Sequence, residues 1–209
     1  LRPASILSAA LAVAGTVALA AQPEPIPFDS ERWERGGSTV VPGLQGGPHN
    51  HTTAGIAVAL KEASTPEFKE YARQIVSNAK ALAEELNAHG FRLISGGTDN
   101  HLILIDTTVG AGERPSLSGK PAAKALAAAG IECNYNTIPF DTRKPFDPSG
   151  VRIGTPSVTS RGMKEKEMKH VAAWMEKALV KANDPAALET IRAEVAEFCE
   201  KFPAPGIRV

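Results

Sequence analysis

The sequence predicts an α/β protein in which a sheet carries helices on one face. Two observations lead to this prediction. Apolar residues recur at steps of three or four along several segments, which is the period of an amphipathic helix. Between these segments lie short runs rich in isoleucine, leucine and valine, which are typical of strands. Helices and short strands that interleave along a chain pack in layers around one core.

The first two helices are predicted after a glycine- and proline-rich turn. One runs from about Thr52 to Glu62. A longer one begins at Ser64-Thr65-Pro66-Glu67, which offers a hydroxyl cap, a proline in the first turn and an acid near the positive end of the helix dipole. Gly90 is predicted to end it. Its apolar stripe consists of Phe68, Tyr71, Ile75, Ala79, Leu82 and Leu86.

Four segments are candidate strands. Phe91–Ser95 and His101–Asp106 are predicted to pair as a hairpin, because Gly96-Gly97-Thr98-Asp99-Asn100 between them suits a tight loop. Ile131–Asn136 and Val151–Ile153 follow, separated by a proline-rich loop from Thr137 to Gly150.

Three further helices are predicted in the second half of the chain. Pro121–Ala129 is short, rich in alanine and closed by Gly130, and Met163–Lys181 has one apolar face. Asn183-Asp184-Pro185 is predicted to cap the final helix. That helix carries the stripe Leu188, Ile191, Val195, Phe198 and Phe202.

Composition and charge exclude some classes of function. Lys+Arg and Asp+Glu are both 23, so the formal net charge is zero. Nucleic-acid binding needs a basic surface, so a small-molecule or protein partner is predicted instead. The cysteines, Cys133 and Cys199, are far apart in sequence, which favours reduced thiols in a reducing compartment over a disulfide.

Residues 1–41 differ from the rest of the chain. Ile6–Ala21 is an uncharged, alanine-rich run that is short for a transmembrane helix and resembles a secretory signal. The chain starts with Leu1 rather than Met, and the remaining residues look cytosolic. We therefore interpret residues 1–41 as a truncated, mis-joined or mistranslated leader on a fragment, with Pro23–Trp33 as a loop.

Two residue pairs near the first helix could bind a ligand. Gly46 and Gly47 precede the helix, and their bare backbone together with free helix N–H groups would suit a phosphate. A plain tight turn is the alternative. His49 and His51 lack a nearby carboxylate or thiolate, so we expect structural or supporting roles for them and no metal site.

Arg152 is the most informative single residue. It lies within the short apolar strand Val151–Ile153, between two turns, where an arginine is unusual unless it has a partner. Its planar guanidinium matches a ligand carboxylate with two hydrogen bonds. An internal salt bridge to Asp or Glu would explain it equally well.

Four segments, taken together and in this order, resemble the serine hydroxymethyltransferase family. The resemblance covers about residues 42–205 and leaves out residues 1–41. The segments are Pro-Gly-Leu-Gln-Gly-Gly-Pro-His-Asn-His (42–51), Ser-Gly-Gly-Thr-Asp-Asn-His (95–101), Asn-Thr-Ile-Pro-Phe-Asp (136–141) and Ser-Gly-Val-Arg-Ile-Gly-Thr-Pro (149–156), the last followed by Thr159 and Arg161-Gly162.

The resemblance implies an architecture. The family has the aspartate-aminotransferase-like fold, fold type I, of enzymes that use pyridoxal 5'-phosphate. Residues 42–88 would form the end of the large cofactor domain and the long linking helix. Residues 89–205 would form the small C-terminal domain, an α/β sandwich.

The resemblance also implies an activity, glycine hydroxymethyltransferase. Serine plus tetrahydrofolate would be interconverted with glycine plus 5,10-methylenetetrahydrofolate, with pyridoxal phosphate as cofactor. Arg152 would bind the substrate carboxylate, and Gly46 and Gly47 the cofactor phosphate of the neighbouring subunit. Asn136 and Phe146 would contact the folate. Arg161 matches a family arginine to which we assign a supporting role.

One departure from the family bears on activity. The family carries its cofactor-binding lysine in Thr-Thr-Thr-His-Lys-Thr, and this sequence contains no such segment. We therefore expect an incomplete fragment of a homodimeric or tetrameric cytoplasmic enzyme, with no nucleic-acid or membrane partner. A catalytically inert C-terminal folding or dimerisation module is the alternative. A related pyridoxal-phosphate enzyme of the same fold is disfavoured by the match at 136–141.

Overall fold

The computed structural model of the chain describes residues 46–206. Contacts divide the chain into two compact units, Leu1–Ile56 and Ala57–Val209. Helix α1 (Asn50–Ala63) spans the division, and none of its residues is buried. The predicted leader and the loop at Pro23–Trp33 lie outside the described residues.

The long helix of the second unit, α2 (Pro66–Ala88), begins and ends as predicted. The hydroxyl oxygen of Thr65 accepts a hydrogen bond from the backbone N–H of Phe68 at 3.2 Å, which satisfies one of the free donors of the first turn. At the other end Gly90 has φ +71°, a conformation that costs glycine little.

Four short strands form one antiparallel sheet in the order β1-β2-β4-β3. The strands are β1 (Arg92–Leu93), β2 (Leu102–Asp106), β3 (Asn134–Asn136) and β4 (Gly150–Gly154). The predicted hairpin is β1 and β2, although β1 has only two residues. The inner strand β4 carries Arg152, which lies opposite Leu104 on one side and Asn134 on the other.

Four more helices complete the described residues, and three of them were predicted. These are α3 (Gly119–Ala128), α5 (Glu165–Val180) and α6 (Pro185–Glu200). The side chain of Asp184 accepts from the backbone N–H of Ala187 at 3.1 Å, which confirms the predicted cap of α6. Helix α4 (Pro156–Ser160) was not predicted, because five residues are too few to show a helical period.

The sheet has one buried and one open face. Successive side chains of a strand point to opposite faces, so Ile103 and Ile105 in β2 and Val151 and Ile153 in β4 share the buried face. They join one core cluster with residues of α2, α3, α5 and α6. Arg152 lies on the opposite face and is exposed. The predicted layer of helices on one face is therefore present.

A buried amide fixes α2 against the segment that follows β4. The Nδ2 atom of Asn78 donates to Thr159 Oγ1 at 2.8 Å and to the carbonyl of Met163 at 2.9 Å. Its Oδ1 accepts from Gln74 at 3.0 Å, so all of its bonding groups are used in a fully buried position. Thr155 adds a bond from its hydroxyl to the carbonyl of Ile75 at 2.8 Å.

Replacing Asn78 with alanine should destabilise this unit by roughly 2 to 4 kcal/mol, because buried partners lose their hydrogen bonds and a cavity remains. Urea unfolding followed by circular dichroism measures the change. Asn183→Ala, at an exposed asparagine, is the matched control and should change the free energy of unfolding by under about 0.5 kcal/mol. Equal effects of the two variants would contradict the assigned role of Asn78.

Candidate functional site

An open groove of about 630 Å³ lies on the exposed face of the sheet. It brings Arg152 of β4 and Asn136 of β3 together with the glycine-rich loop between β1 and β2. The residues that line it are Ser95, Gly96, Gly97, Thr98, Asp99, Asn100, Leu102, Leu104, Asn136 and Arg152. Arg152 and Asn136, two of the predicted site residues, therefore share one groove with the segment at 95–100. In the sequence that segment stood out only as part of a family motif.

Arg152 reaches the groove because its neighbours in β4, Val151 and Ile153, occupy the core face. Its Nε atom donates to Asn134 Oδ1 at 3.2 Å. Within residues 46–206 its guanidinium makes no salt bridge to an Asp or Glu, so the internal ion pair that the sequence left open is not found there. The positive charge thus faces the groove without an acidic partner, as carboxylate binding requires.

The glycine-rich wall of the groove is held by its own polar side chains. Thr98 donates from its hydroxyl to the carbonyl of Leu102 at 2.7 Å, and Asn100 Oδ1 accepts from the backbone N–H of Leu102 at 2.7 Å. Asn87, at the end of α2, donates to the carbonyl of Gly96 at 2.8 Å. These bonds fix the loop on both sides, so the wall is built before any ligand arrives.

Asn136 stands at the end of β3, where it pairs with Gly150 of β4. A Cβ atom at position 150 would lie 2.7 Å from the carbonyl oxygen of Ile105 and 2.7 Å from the side chain of Ile138. Only glycine fits between the flanking strands there. Asn136 donates from Nδ2 to the carbonyl of Thr137 at 2.7 Å, and no described residue donates to its Oδ1, which can accept from a ligand.

Asp141 organises the loop after β3, and the sequence analysis missed this role. Its carboxylate accepts from the backbone N–H groups of Ser149, Arg143 and Ile138 at 2.9, 2.9 and 3.2 Å, and from the Ser149 hydroxyl at 2.7 Å. These bonds, the Ser149 N–H first, hold the pKa of Asp141 well below its usual range. The sequence did contain a signal for this role, because an Asp in a turn tends to accept hydrogen bonds from nearby backbone N–H groups.

Phe146 belongs to the same loop but does not line the groove. Its side chain is 81% exposed. Phe140 is fully exposed and has φ +60°, an unusual conformation for an aromatic residue. The loop thus presents two aromatic rings to solvent on a backbone that Asp141 fixes. The structure does not bring Phe146 to Asn136 and Arg152 in the groove.

Gly46 and Gly47 lie in the first unit, separated from the start of α1 by Pro48 and His49, and both are exposed. A Cβ atom at either position would meet nothing within 4 Å, so the backbone is open to a ligand. His49 and His51 follow, with ring centroids 5.9 Å apart. This arrangement suits an anion at the start of a helix.

Arg161 is bound inside the fold. Its Nε donates to the carbonyl of Phe202 at 2.7 Å and its Nη2 to the carbonyl of Cys199 at 3.1 Å. These are carbonyl groups at the end of α6, where a positive charge is favourable. The side chain thus joins the segment after β4 to the last helix, which is a structural role.

Among residues 46–206, no group of three His, Cys, Asp or Glu side chains could hold a metal ion. None of the helices that the structure describes is both long and apolar enough to cross a membrane. Cys133 and Cys199 are free thiols, as predicted, and burial raises the pKa of Cys133 to about 11.

The chain is similar to proteins of one named family. A family model described as "Serine hydroxymethyltransferase" matches residues 10–175. A serine hydroxymethyltransferase of Sorangium cellulosum is 64% identical over 170 residues, which cover 81% of this chain and 39% of that protein. The proteins of the same name from Acidothermus cellulolyticus and Myxococcus xanthus are 59% and 47% identical, over 80% and 94% of this chain and 40% and 51% of their own lengths.

Two facts about extent follow from these comparisons. The chain spans about two-fifths of the length of the first two relatives. The family match begins at residue 10, upstream of residue 42, where the sequence motifs had placed the start of the similarity.

Asp141 makes the order of its loop dependent on pH. A carboxylate with a lowered pKa stabilises the folded loop above its ordinary pKa of 3.8, and this contribution disappears as the pH falls below that value. We therefore expect the Ser149 amide to be protected from hydrogen exchange at pH 6 and to lose that protection as the solution is acidified through about pH 4 to pH 2.

Asp141→Asn should remove this pH dependence and leave the Ser149 amide less protected at pH 6. Amide exchange measured by NMR gives both quantities. Glu197→Gln removes one exposed carboxylate on α6 and is the control, with exchange at Ser149 unchanged. If the Asp141→Asn protein kept the profile of the unmodified chain, the carboxylate would not be what fixes the loop.

Proposed function

The chain belongs to the serine hydroxymethyltransferase family, and from this premise we propose that it forms the C-terminal part of a glycine hydroxymethyltransferase. The complete enzyme would interconvert serine plus tetrahydrofolate with glycine plus 5,10-methylenetetrahydrofolate. The observation that carries the proposal is the groove in which Arg152, which has no acidic partner among residues 46–206, lies beside Asn136. The family match and the relatives named above support it.

In this proposal Arg152 binds the carboxylate of serine or glycine. A guanidinium and a carboxylate form two parallel charge-assisted hydrogen bonds, which fix orientation as well as position. Holding the amino acid in one orientation contributes to the rate by lowering the entropic cost of reaching the transition state. The strand that carries Arg152 is an inner strand of the sheet, bonded on both sides, so the anchor stands on a rigid element.

The folate contacts are proposed for Asn136 and Phe146. Asn136 offers its free Oδ1 at the edge of the groove. Phe146 offers an exposed ring on the loop that Asp141 fixes, and an exposed aromatic ring suits a flat ligand.

The family implies pyridoxal 5'-phosphate, and the described residues fit its phosphate end only. Gly46 and Gly47 present open backbone at the start of α1, which suits a phosphate contact. When bound, the cofactor supplies an electron sink for cleavage of a bond at the amino acid's Cα atom. The sequence contains no Thr-His-Lys-Thr segment that would hold the cofactor covalently. The part proposed for this chain is therefore substrate binding and a phosphate contact.

Assembly and location belong to the same proposal. The phosphate contact of Gly46 and Gly47 would be made to the cofactor of a neighbouring subunit, in a homodimer or tetramer. Residues 42–88 would close the cofactor domain and link it to the small domain at 89–205. The complete enzyme would be cytoplasmic, with no nucleic-acid or membrane partner.

A second candidate function is an inert folding or dimerisation module. Helix α1 favours it, because none of its residues is buried although the helix carries Ile56, Val58 and Leu60. Such a module would use the same fold without binding an amino acid. Binding of substrate and of cofactor therefore separates the two functions.

Arg152→Ala should abolish binding of glycine to the chain, and Arg152→Lys should weaken it about tenfold, because an ammonium group cannot make both parallel hydrogen bonds. Glycine is titrated while the amide signals of Gly96, Gly97 and Asn136 are followed by NMR. Arg73→Ala removes an exposed arginine of α2 that does not line the groove, and should leave the titration unchanged. Normal glycine binding by Arg152→Ala would refute the substrate site.

Addition of pyridoxal phosphate to the chain should give no visible absorption band that depends on one particular lysine, because the family's lysine segment is not in the sequence. The measurement is the absorption spectrum before and after borohydride reduction, followed by mass spectrometry of tryptic peptides. Uniform, substoichiometric labelling of surface lysines is the expected background. Stoichiometric labelling of one lysine would show that the chain holds the cofactor covalently. That result would overturn the proposal that this chain contributes only substrate binding and a phosphate contact.

A further inference from the structure

We propose that Asn134 is a positioning residue that holds Arg152 through a neutral amide, so that the guanidinium keeps its full charge for the substrate. This inference rests on the proposed function. Asn134 was not singled out by the sequence motifs. Its relevant property is that the amide accepts a hydrogen bond without carrying a charge. The evidence is the geometry of β3 and β4.

The two side chains meet because their strands are paired in register. Asn134 is the direct partner of Arg152 across the β3–β4 ladder, where opposite side chains lie close together on the same face. The Nε atom of Arg152 donates to Asn134 Oδ1 at 3.2 Å. The Nδ2 atom of Asn134 donates to the carbonyl of Tyr135 at 3.4 Å, which orients the amide with its oxygen toward the arginine.

The bond at Nε leaves the rest of the guanidinium free. Arginine has five N–H groups, and one of them is on Nε. Among the described residues, Arg152 makes no side-chain hydrogen bond other than the one to Asn134. Its two terminal nitrogens can therefore meet the two oxygens of a carboxylate. Asn134 itself does not line the groove, so it supports the arginine from the side and leaves the groove open.

The charge of the supporting group decides whether the arginine can bind an anion well. A carboxylate at position 134 would neutralise the guanidinium and compete with the substrate. An amide accepts the same hydrogen bond and leaves the charge in place. Asp99 is a lining residue of the groove, but it makes no salt bridge to Arg152 in this structure. The neutral acceptor thus preserves the positive charge that faces the groove.

Holding the side chain in advance also favours binding. A free arginine side chain samples many rotamers, and fixing it on binding costs conformational entropy. The Asn134 bond restricts Arg152 before the ligand arrives. Loss of the bond should therefore weaken binding without removing the charge, whereas an acid at the same place should keep the arginine fixed and remove its affinity for anions.

The experiment uses the full chain labelled with ¹⁵N-arginine and follows the Nε–H signal of Arg152 by NMR, assigned by its loss in Arg152→Lys. Exchange of this proton with water reports the bond to Asn134, and its shift on addition of glycine reports ligand binding. The variants are Asn134→Ala and Asn134→Asp. Asn183→Ala, at an exposed asparagine without a side-chain hydrogen bond to a described residue, is the matched control.

Asn134→Ala should speed exchange of the Nε proton severalfold and raise the glycine dissociation constant about three- to tenfold, which is the range for one ordinary hydrogen bond, because the lost bond positions the arginine and does not touch the ligand. Asn134→Asp should keep exchange slow but weaken glycine binding by more than about tenfold. Asn183→Ala should match the unmodified chain in both measurements.

The outcomes separate the inference from the function on which it rests. Unchanged Nε exchange in Asn134→Ala would overturn the positioning contact. Unweakened glycine binding in Asn134→Asp would overturn the requirement for a neutral acceptor. If glycine failed to shift Arg152 in the unmodified chain while Asn134→Ala still sped exchange, the contact would stand and the proposed substrate site would fall.

Discussion

The alternation of side chains along β4 is the constraint on which the rest of this structure depends. Val151 and Ile153 are buried in the core that the sheet shares with its helices, so Arg152 between them must face the other side. A shift of one residue in the register would place the guanidinium in the core and expose two apolar side chains. Packing of the hydrophobic core and orientation of the arginine are therefore one and the same requirement.

The neighbouring strands also constrain Arg152. Because β4 is an inner strand, Arg152 has a partner on each side, Leu104 from β2 and Asn134 from β3. Gly150, at the start of the strand, fits only without a side chain, which lets the strands approach beside Asn136. After the strand, Thr155 and Thr159 bond to Ile75 and Asn78 of α2. The strand is thus fixed at both ends, and the groove residues stand on a rigid support.

The loops around the groove are ordered by single polar side chains. Asp141 accepts from backbone N–H groups at both ends of the loop after β3. In the loop after β1, Thr98 donates to the carbonyl of Leu102 and Asn100 accepts from the N–H of the same residue. Buried backbone groups must be paired, and a loop that lacks strand partners obtains those bonds from Asp, Asn or Thr. These residues occur within the motifs of the sequence, which indicates that part of each motif serves to shape the loop.

The sequence by itself determined the helices with strong periodicity, the caps at Thr65 and Asp184, the hairpin and the family, because each depends on local pattern or on the order of motifs. It also singled out Arg152 but left its partner open. Only the tertiary structure decided that the partner is Asn134, that Asn136 shares the groove and Phe146 does not, and that Arg161 binds the end of α6. The Arg152–Asn134 and Arg161–Phe202 contacts join residues that are 18 and 41 positions apart in the sequence. Strand register brings the first pair together and helix packing the second, and neither register nor packing can be read from a local sequence pattern.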